Sequence, residues 1–183
     1  MDFGMRASSG DATIERPATT SHGDEVVIGP LHQSEYPALY RMFESIVAAL
    51  EGYPHAPPLD EPAFDATWKA VTVTVGVRLQ TGGGPVLAGA YYLKPNFVGR
   101  AAHIANAGYA VDSAVRGRGI GRLLLEDSIW RAPRLGFDAI QFNLVFESNP
   151  ARRLYEELGW REVGRVPDAV DGEDALVYWR RVG

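Results

Sequence analysis

A chain of 183 residues with 46% hydrophobic residues is long enough for one well-packed domain and too short for two. It holds no cysteine, which excludes a disulfide scaffold, a thiolate nucleophile and thiolate-ligated zinc or iron–sulfur clusters, and makes a reducing cytoplasm the expected compartment. A formal charge of -5 argues against general nucleic-acid binding, and no apolar stretch reaches the roughly 18 residues of a membrane-spanning helix.

Residues 1–24 are rich in Ser, Thr, Gly and Ala without helical or strand period, which predicts a flexible N-terminal arm ahead of a domain over 25–183. Val26 to Leu31 reads as a first strand. Ser34 then stands as a helix cap with Pro37 in the first turn, and Leu39, Met42, Phe43, Ile46, Val47 and Leu50 recur at helical spacing up to Gly52. A proline-rich loop follows, and Asp60 with Pro62 opens a second helix to about Lys69. Val71, Val73, Val75 and Val77 alternate with small or polar residues, so a strand is expected there, turning at Gly82 to Pro85 into a partner over about 86–93.

Further strands are expected at about 103–111 and 138–146, with helices over about 119–131 and from Asn149 to Gly159. Strands at about 160–166 and 174–181 close the chain. Strands and helices in this order describe one mixed α/β domain. Its terminal strands and arm also offer surfaces for a homodimer, which one sequence leaves open.

The turn before the third helix, Val111 to Arg122, carries glycines at 117, 119 and 121 and arginines at 116, 118 and 122. Glycines let backbone N–H groups approach an anion, and the helix start adds its positive dipole end, so the turn suits a pyrophosphate. Residues 100–165 hold 10 Lys and Arg against 8 Asp and Glu, a local balance of +2 in an acidic chain. Arg122-Leu123 replaces the Lys-Ser/Thr of a nucleotide-hydrolysing loop, and Leu124 stands where a dinucleotide fingerprint needs Gly or Ala.

What remains, Arg116-x-x-Gly119-x-Gly121, resembles the acetyl-CoA loop of the GCN5-related N-acetyltransferases. Asn149 to Trp160, with Tyr155 and a Leu-Gly-Trp ending, is similar to the later helix of that family. The resemblance implies a mostly antiparallel sheet of about six to seven strands, splayed between two central parallel strands and flanked by about four helices. It implies acetyl-CoA as cosubstrate and no metal. Val111 and Ser113 would meet the pantetheine arm near a bulge at Gly108. Arg116, Gly117, Arg118, Gly119, Ile120, Gly121 and Arg122 would hold the pyrophosphate. Asn149 would reach the arm from the other side, and Tyr155 would protonate the leaving sulfur.

Period-two alternation places Glu147 on the face of Asn143, which makes it a candidate base; His103 is another. Tyr92 to Phe97, His103 to Gly108 and Phe142 to Asn149 together resemble the azetidine-2-carboxylate N-acetyltransferases. That subgroup implies that Asn106, Asn143 and Asn149 hold the acceptor. Each asparagine also has a structural reading, at a bulge, between strand ends or as a helix cap, and Asn143 among apolar neighbours reads as a buried amide in need of partners. The expected function is acetyl transfer to a small amine. Transfer to a protein N-terminus or lysine, and a non-catalytic acetyl-CoA-binding module, are the alternatives.

Overall fold

The protein was analysed as a computed structural model that describes residues 14–183. In chain order its elements are β1 (Arg16–Thr19), β2 (Glu25–Pro30), α1 (Tyr36–Ala48), α2 (Glu61–Trp68), β3 (Val73–Thr81), β4 (Gly84–Pro95), β5 (Ile104–Val111), α3 (Ile120–Arg131), β6 (Ala139–Phe146), α4 (Arg152–Glu157), β7 (Arg161–Val170) and β8 (Glu173–Arg181). The strands form one sheet in the order β1-β2-β3-β4-β5-β6-β8-β7. Every pairing is antiparallel except β5 with β6.

The central strands are covered on both faces, so β4 is buried almost continuously from Leu87 to Leu93. On one face α1 and α2 lay Leu39, Phe43, Val47, Phe64 and Trp68 against Leu87, Ala90 and Tyr92. On the other, Ile120, Leu124 and Leu125 of α3 pack on Val75, Val77, Tyr91 and Leu93. Each large apolar side chain fully withdrawn from water in this way stabilises the fold by about 1.5–3 kcal/mol. Asp60 caps α2 by accepting from the Ala63 N–H at 2.8 Å, whereas α1 starts differently from the expected Ser34 cap. A short turn over Gln33–Glu35 precedes it, in which Glu35 accepts from the His32 N–H at 2.7 Å and pairs with Arg78.

Three sequence expectations change. The eighth strand is β1, inside the segment expected to be a flexible arm, of which residues 1–13 lie outside the described residues. Arg16 anchors β1 on Asp127 of α3 at 3.1 Å and stacks on Trp130 at 4.0 Å, and edge position lets Pro17 sit in a strand. Gly108 is no bulge, since β4 and β5 run in register from Gly89↔Val111 to Pro95↔Ala105. The extra residue lies on β6, where Phe142↔Tyr178 is followed by Val145↔Leu176. That bulge at Asn143 and Leu144 shifts the alternation of the strand end, so the face shared by Asn143 and Glu147 on paper is lost.

Candidate active site

The parallel pair is the origin of the site. β5 and β6 are paired only from Ile104↔Ala139 to Asn106↔Gln141, after which their facing edges separate. Backbone groups on two unpaired strand edges are a template for an extended, amide-bearing chain. A cleft of about 1150 Å³ opens there. Val111, Arg116, Gly121, Asn143, Asn149 and Tyr155 line it, as does Asn106.

Tyr155 is buried beneath the cleft against Phe142, Trp160 and Tyr178, with ring centroids 5.0, 6.3 and 5.9 Å away. Burial pushes its pKa to about 12, the Tyr178 phenol adds to the shift, and a hydrogen bond from Asn149 opposes it. With its pKa raised this far, the Tyr155 hydroxyl stays protonated at neutral pH and presents an O–H. Asn149 does two jobs. Its Oδ1 accepts from the Ala151 N–H at 2.9 Å, fixing the entry to α4, while its amide faces Tyr155.

At the other wall, the loop after α1 closes over β5. Tyr53 donates to the Tyr109 carbonyl at 3.1 Å and packs edge-on to Phe43. Tyr92 donates to Asn106 Oδ1 at 3.3 Å, and Asn106 Nδ2 donates to the Gln141 carbonyl at 3.1 Å, tying β5 to β6 at the point where they part. A Cβ on Gly108 would lie 2.6 Å from the Tyr53 hydroxyl and 2.6 Å from Tyr92 Cε1, so glycine is there to admit two tyrosines. His55, Thr67 and Lys94 complete this wall. Burial lowers the His55 imidazole pKa from its ordinary 6.5.

The glycine-rich turn stands at the start of α3, whose first N–H groups have no intrahelical partner. Gly117 and Gly119 have φ of +78° and +84°, conformations that a side chain disfavours. The three arginines of the turn reach carboxylates from separate elements. Arg116 pairs with Glu51 at 2.5 Å, Arg118 Nε donates to Asp24 at 3.0 Å, and Arg122 pairs with Glu157 at 2.7 Å. Arg118 holds the Asp24 carboxyl below its ordinary pKa. Ser113, Gly117, Arg118, Gly119, Ile120 and Arg122 do not line the cleft, and the Ile120 side chain is buried in the core, leaving only its backbone to face a ligand.

Other candidates fall elsewhere. Glu147 lies off the cleft and pairs with Arg165 at 3.0 Å, because the β6 bulge turns it away. His103 is also outside, bonded through Nδ1 to the Arg100 carbonyl at 2.9 Å. Asn143 lines the cleft but is exposed, its amide exchanging two hydrogen bonds with Asn96 at 2.7 and 3.0 Å. Tyr53, His55, Tyr92 and Lys94 were not among the expected site residues, although Tyr92 and Lys94 lie in the segment Tyr92 to Phe97 that carries part of the subgroup resemblance. Tyr92 and Lys94 share a face by strand alternation, a usable signal, whereas Tyr53 and His55 sit in a proline-rich loop without period.

Comparison with known proteins agrees with this geometry. The model of the Acetyltransferase (GNAT) family matches residues 39–160, more than half of the chain. Over 84 residues the chain is 45% identical to N-acetyltransferase aca1 of Schizosaccharomyces pombe, a match covering 45% of this chain and 40% of that protein. The chain thus spans less than half the length of that curated relative. Among solved structures, a GCN5-related N-acetyltransferase from Kribbella flavida superposes with a TM-score of 0.77 at 33% identity, over 85% of this chain and 97% of that one. A Sinorhizobium meliloti phosphinothricin acetyltransferase in complex with AcCoA shares the fold with a TM-score of 0.75 at 16% identity, over 91% and 90% of the two chains. Strand order, splayed parallel pair, glycine-rich turn and family match converge, and the chain belongs to the acetyltransferase (GNAT) family.

Proposed function

We propose that this protein moves the acetyl group of acetyl-CoA directly onto the amine of a small acceptor, an amino acid or proline analogue such as azetidine-2-carboxylate. The observation that carries the reading is the buried, protonated Tyr155 with Asn149 at the mouth of the β5–β6 opening, beside a glycine-rich helix start. The residues present fit the donor. Unpaired edges of β5 and β6 suit the amides of a pantetheine arm, and the N-terminus of α3 with Arg116 suits the diphosphate. Acetyl-CoA supplies a thioester carbon open to attack by an amine. Tyr155 then gives its proton to the departing sulfur, and Asn149 orients the Tyr155 hydroxyl.

Tyrosines 53 and 92 and the asparagines at 106 and 143 give the acceptor wall neutral donors and acceptors, which suits a small polar molecule. No protein side chain need carry the acetyl group, in keeping with the absence of cysteine. A cysteine-free chain is also suited to the reducing cytoplasm, the compartment this reading assigns it. Incubation with acetyl-CoA and a panel of small amines, azetidine-2-carboxylate included, should release free thiol. No release across the panel would refute the proposal, and acetylation confined to peptide N-termini or lysines would replace the acceptor class.

A further inference from the structure

Two permanently cationic side chains line the cleft, Arg116 and Lys94, and their circumstances differ. Arg116, at the glycine-rich turn, already holds the Glu51 carboxylate at 2.5 Å. Lys94, the next-to-last residue of β4, is half-buried, and no carboxylate among the described residues lies within ion-pair reach of it. Of the other acids that line the cleft, Glu173 accepts from the Ser148 N–H and Asp171 sits in the turn between β7 and β8. The Lys94 ammonium rests 5.2 Å from the centroid of the Tyr92 ring, a contact that holds its place without neutralising its charge. Its N–H donors meet no acceptor among the described residues, and the nitrogen is not sealed from water.

Strand pairing sets an amide beside that charge. Lys94 stands directly across from Asn106 in the β4–β5 ladder, and Tyr92 precedes it by two residues, so all three share one face of the sheet. Asn106 Oδ1 accepts from Tyr92 at 3.3 Å, and Asn106 Nδ2 gives one of its two hydrogens to the Gln141 carbonyl at 3.1 Å. The trio therefore stands at the fork where β5 and β6 part. Asn143, farther along the wall, exchanges hydrogen bonds with Asn96. The neutral amides of this wall spend part of their donors on the protein, whereas the Lys94 ammonium spends none. A cation on a partly dry wall with no fixed counter-charge attracts an anionic group on a ligand and repels a second cation. The Tyr53 phenol is close enough to feel those of both Tyr92 and Tyr155, so the cation and the proton donor belong to one compartment.

Resting on the transfer reading above, we propose that Lys94 binds a free carboxylate on the acceptor and thereby sets its class: an amino acid, in preference to a polyamine, a lysine side chain or a peptide N-terminus. The ammonium and the remaining Asn106 N–H hold the carboxylate oxygens. In an α-amino acid the amine is bonded to the carbon next to that carboxylate, so fixing one end presents the other to the opening between β5 and β6. A polyamine or a lysine side chain brings further positive charge to a cationic wall. A peptide N-terminus carries a neutral amide where the carboxylate should be.

The test is kcat/KM for azetidine-2-carboxylate, its carboxamide and azetidine itself, and for the most active amino acid of the panel with its own carboxamide. Each is measured in wild type, Lys94→Gln and Lys94→Arg, with thermal unfolding as the check that the variants fold. Comparing the acid-over-amide preference between proteins cancels the intrinsic reactivity of each amine. In the wild type the acid should be preferred by about tenfold or more. Lys94→Gln should cut that preference about 10- to 100-fold, mainly through KM, and Lys94→Arg, which keeps the charge, should fall between the two. A wild type that acetylates the carboxamide or azetidine as fast as the acid would overturn the inference without any variant. So would a preference that stays within about threefold of wild type in Lys94→Gln. Both results would leave the transfer reading intact, and a wild-type protein that acetylates no amine would overturn the two together.

Discussion

Replacing Gly108 by alanine tests the proposed acceptor wall most directly. The added Cβ would stand 2.6 Å from the Tyr53 hydroxyl, 2.6 Å from Tyr92 Cε1 and 2.8 Å from the Tyr92 hydroxyl. Ordinary contact begins at about 3.4 Å, so both rings must withdraw by most of an ångström. Neither can do so freely. Tyr53 is held by Phe43 at 4.8 Å and by its bond to Tyr109, and Tyr92 by Trp68 at 5.4 Å and by its bond to Asn106. Overpacking costs about 1–3 kcal/mol, and loosening two hydrogen bonds adds about 1 kcal/mol. The sum of about 2–4 kcal/mol corresponds to a fall of roughly 5–15 °C in thermal midpoint for a chain of this length. Thermal unfolding of Gly108→Ala, of Tyr53→Phe and of the double variant should show the double losing about 1 kcal/mol less than the sum, because deleting the hydroxyl frees part of the space. KM for the amine should rise more than the Kd for acetyl-CoA. A wild-type midpoint in Gly108→Ala, or strict additivity in the cycle, would refute this account of the wall.

Three further outcomes are expected. Tyr155→Phe keeps the ring among Phe142, Trp160 and Tyr178 but loses the proton, so kcat should drop about 100-fold or more while acetyl-CoA affinity, read by calorimetry, stays within threefold. Glu51→Gln frees the exposed Arg116, and acetyl-CoA should bind about two- to fivefold tighter in 50 mM salt, with the gain fading by 0.5 M; unchanged affinity at both would refute the role given to that pair. Burial tends to raise the Glu35 carboxyl, but hydrogen bonds from Arg78 and the His32 N–H outweigh it and hold its pKa below 4.5. A depressed folded pKa means stability that is present above pH 4.5 and lost as pH falls through the folded value, so the acid limb of denaturant-measured stability should flatten in Glu35→Gln.

The sequence carried the helices and seven of the strands, because their apolar residues recur with the period of each element and their ends bear caps, glycines and prolines. It did not carry β1. Four residues containing a proline have little local signal, and what orders them is Asp127, 111 residues away. Glu147 was misplaced for a different reason. Alternation predicts a face only while the strand is regular, and one extra residue on β6 is decided by pairing with β8, which no local pattern reveals. Asn143 inherited the apolar look of its neighbours, yet the same bulge puts it at the surface with Asn96 as partner. The chemistry of the turn at residues 116–122 was legible in its glycines and arginines. The carboxylates of Asp24, Glu51 and Glu157 that meet those arginines come from three distant parts of the chain, and only folding assembles them.

The N-terminal segment runs along α3 in the opposite sense, with Arg16 beside Asp127 and Ser21 so close to Gly119 that a Cβ there would lie 2.6 Å from its hydroxyl. Asp24 holds the neighbouring Arg118. A protein trimmed at residue 25, the border that composition suggests, would keep its cleft but lose the brace behind the glycine-rich turn proposed to hold the donor. Under the proposed function, proteolysis or fusion at this end would then register first as weakened hold on the acetyl donor, with the wall of Tyr53 and Tyr92 untouched.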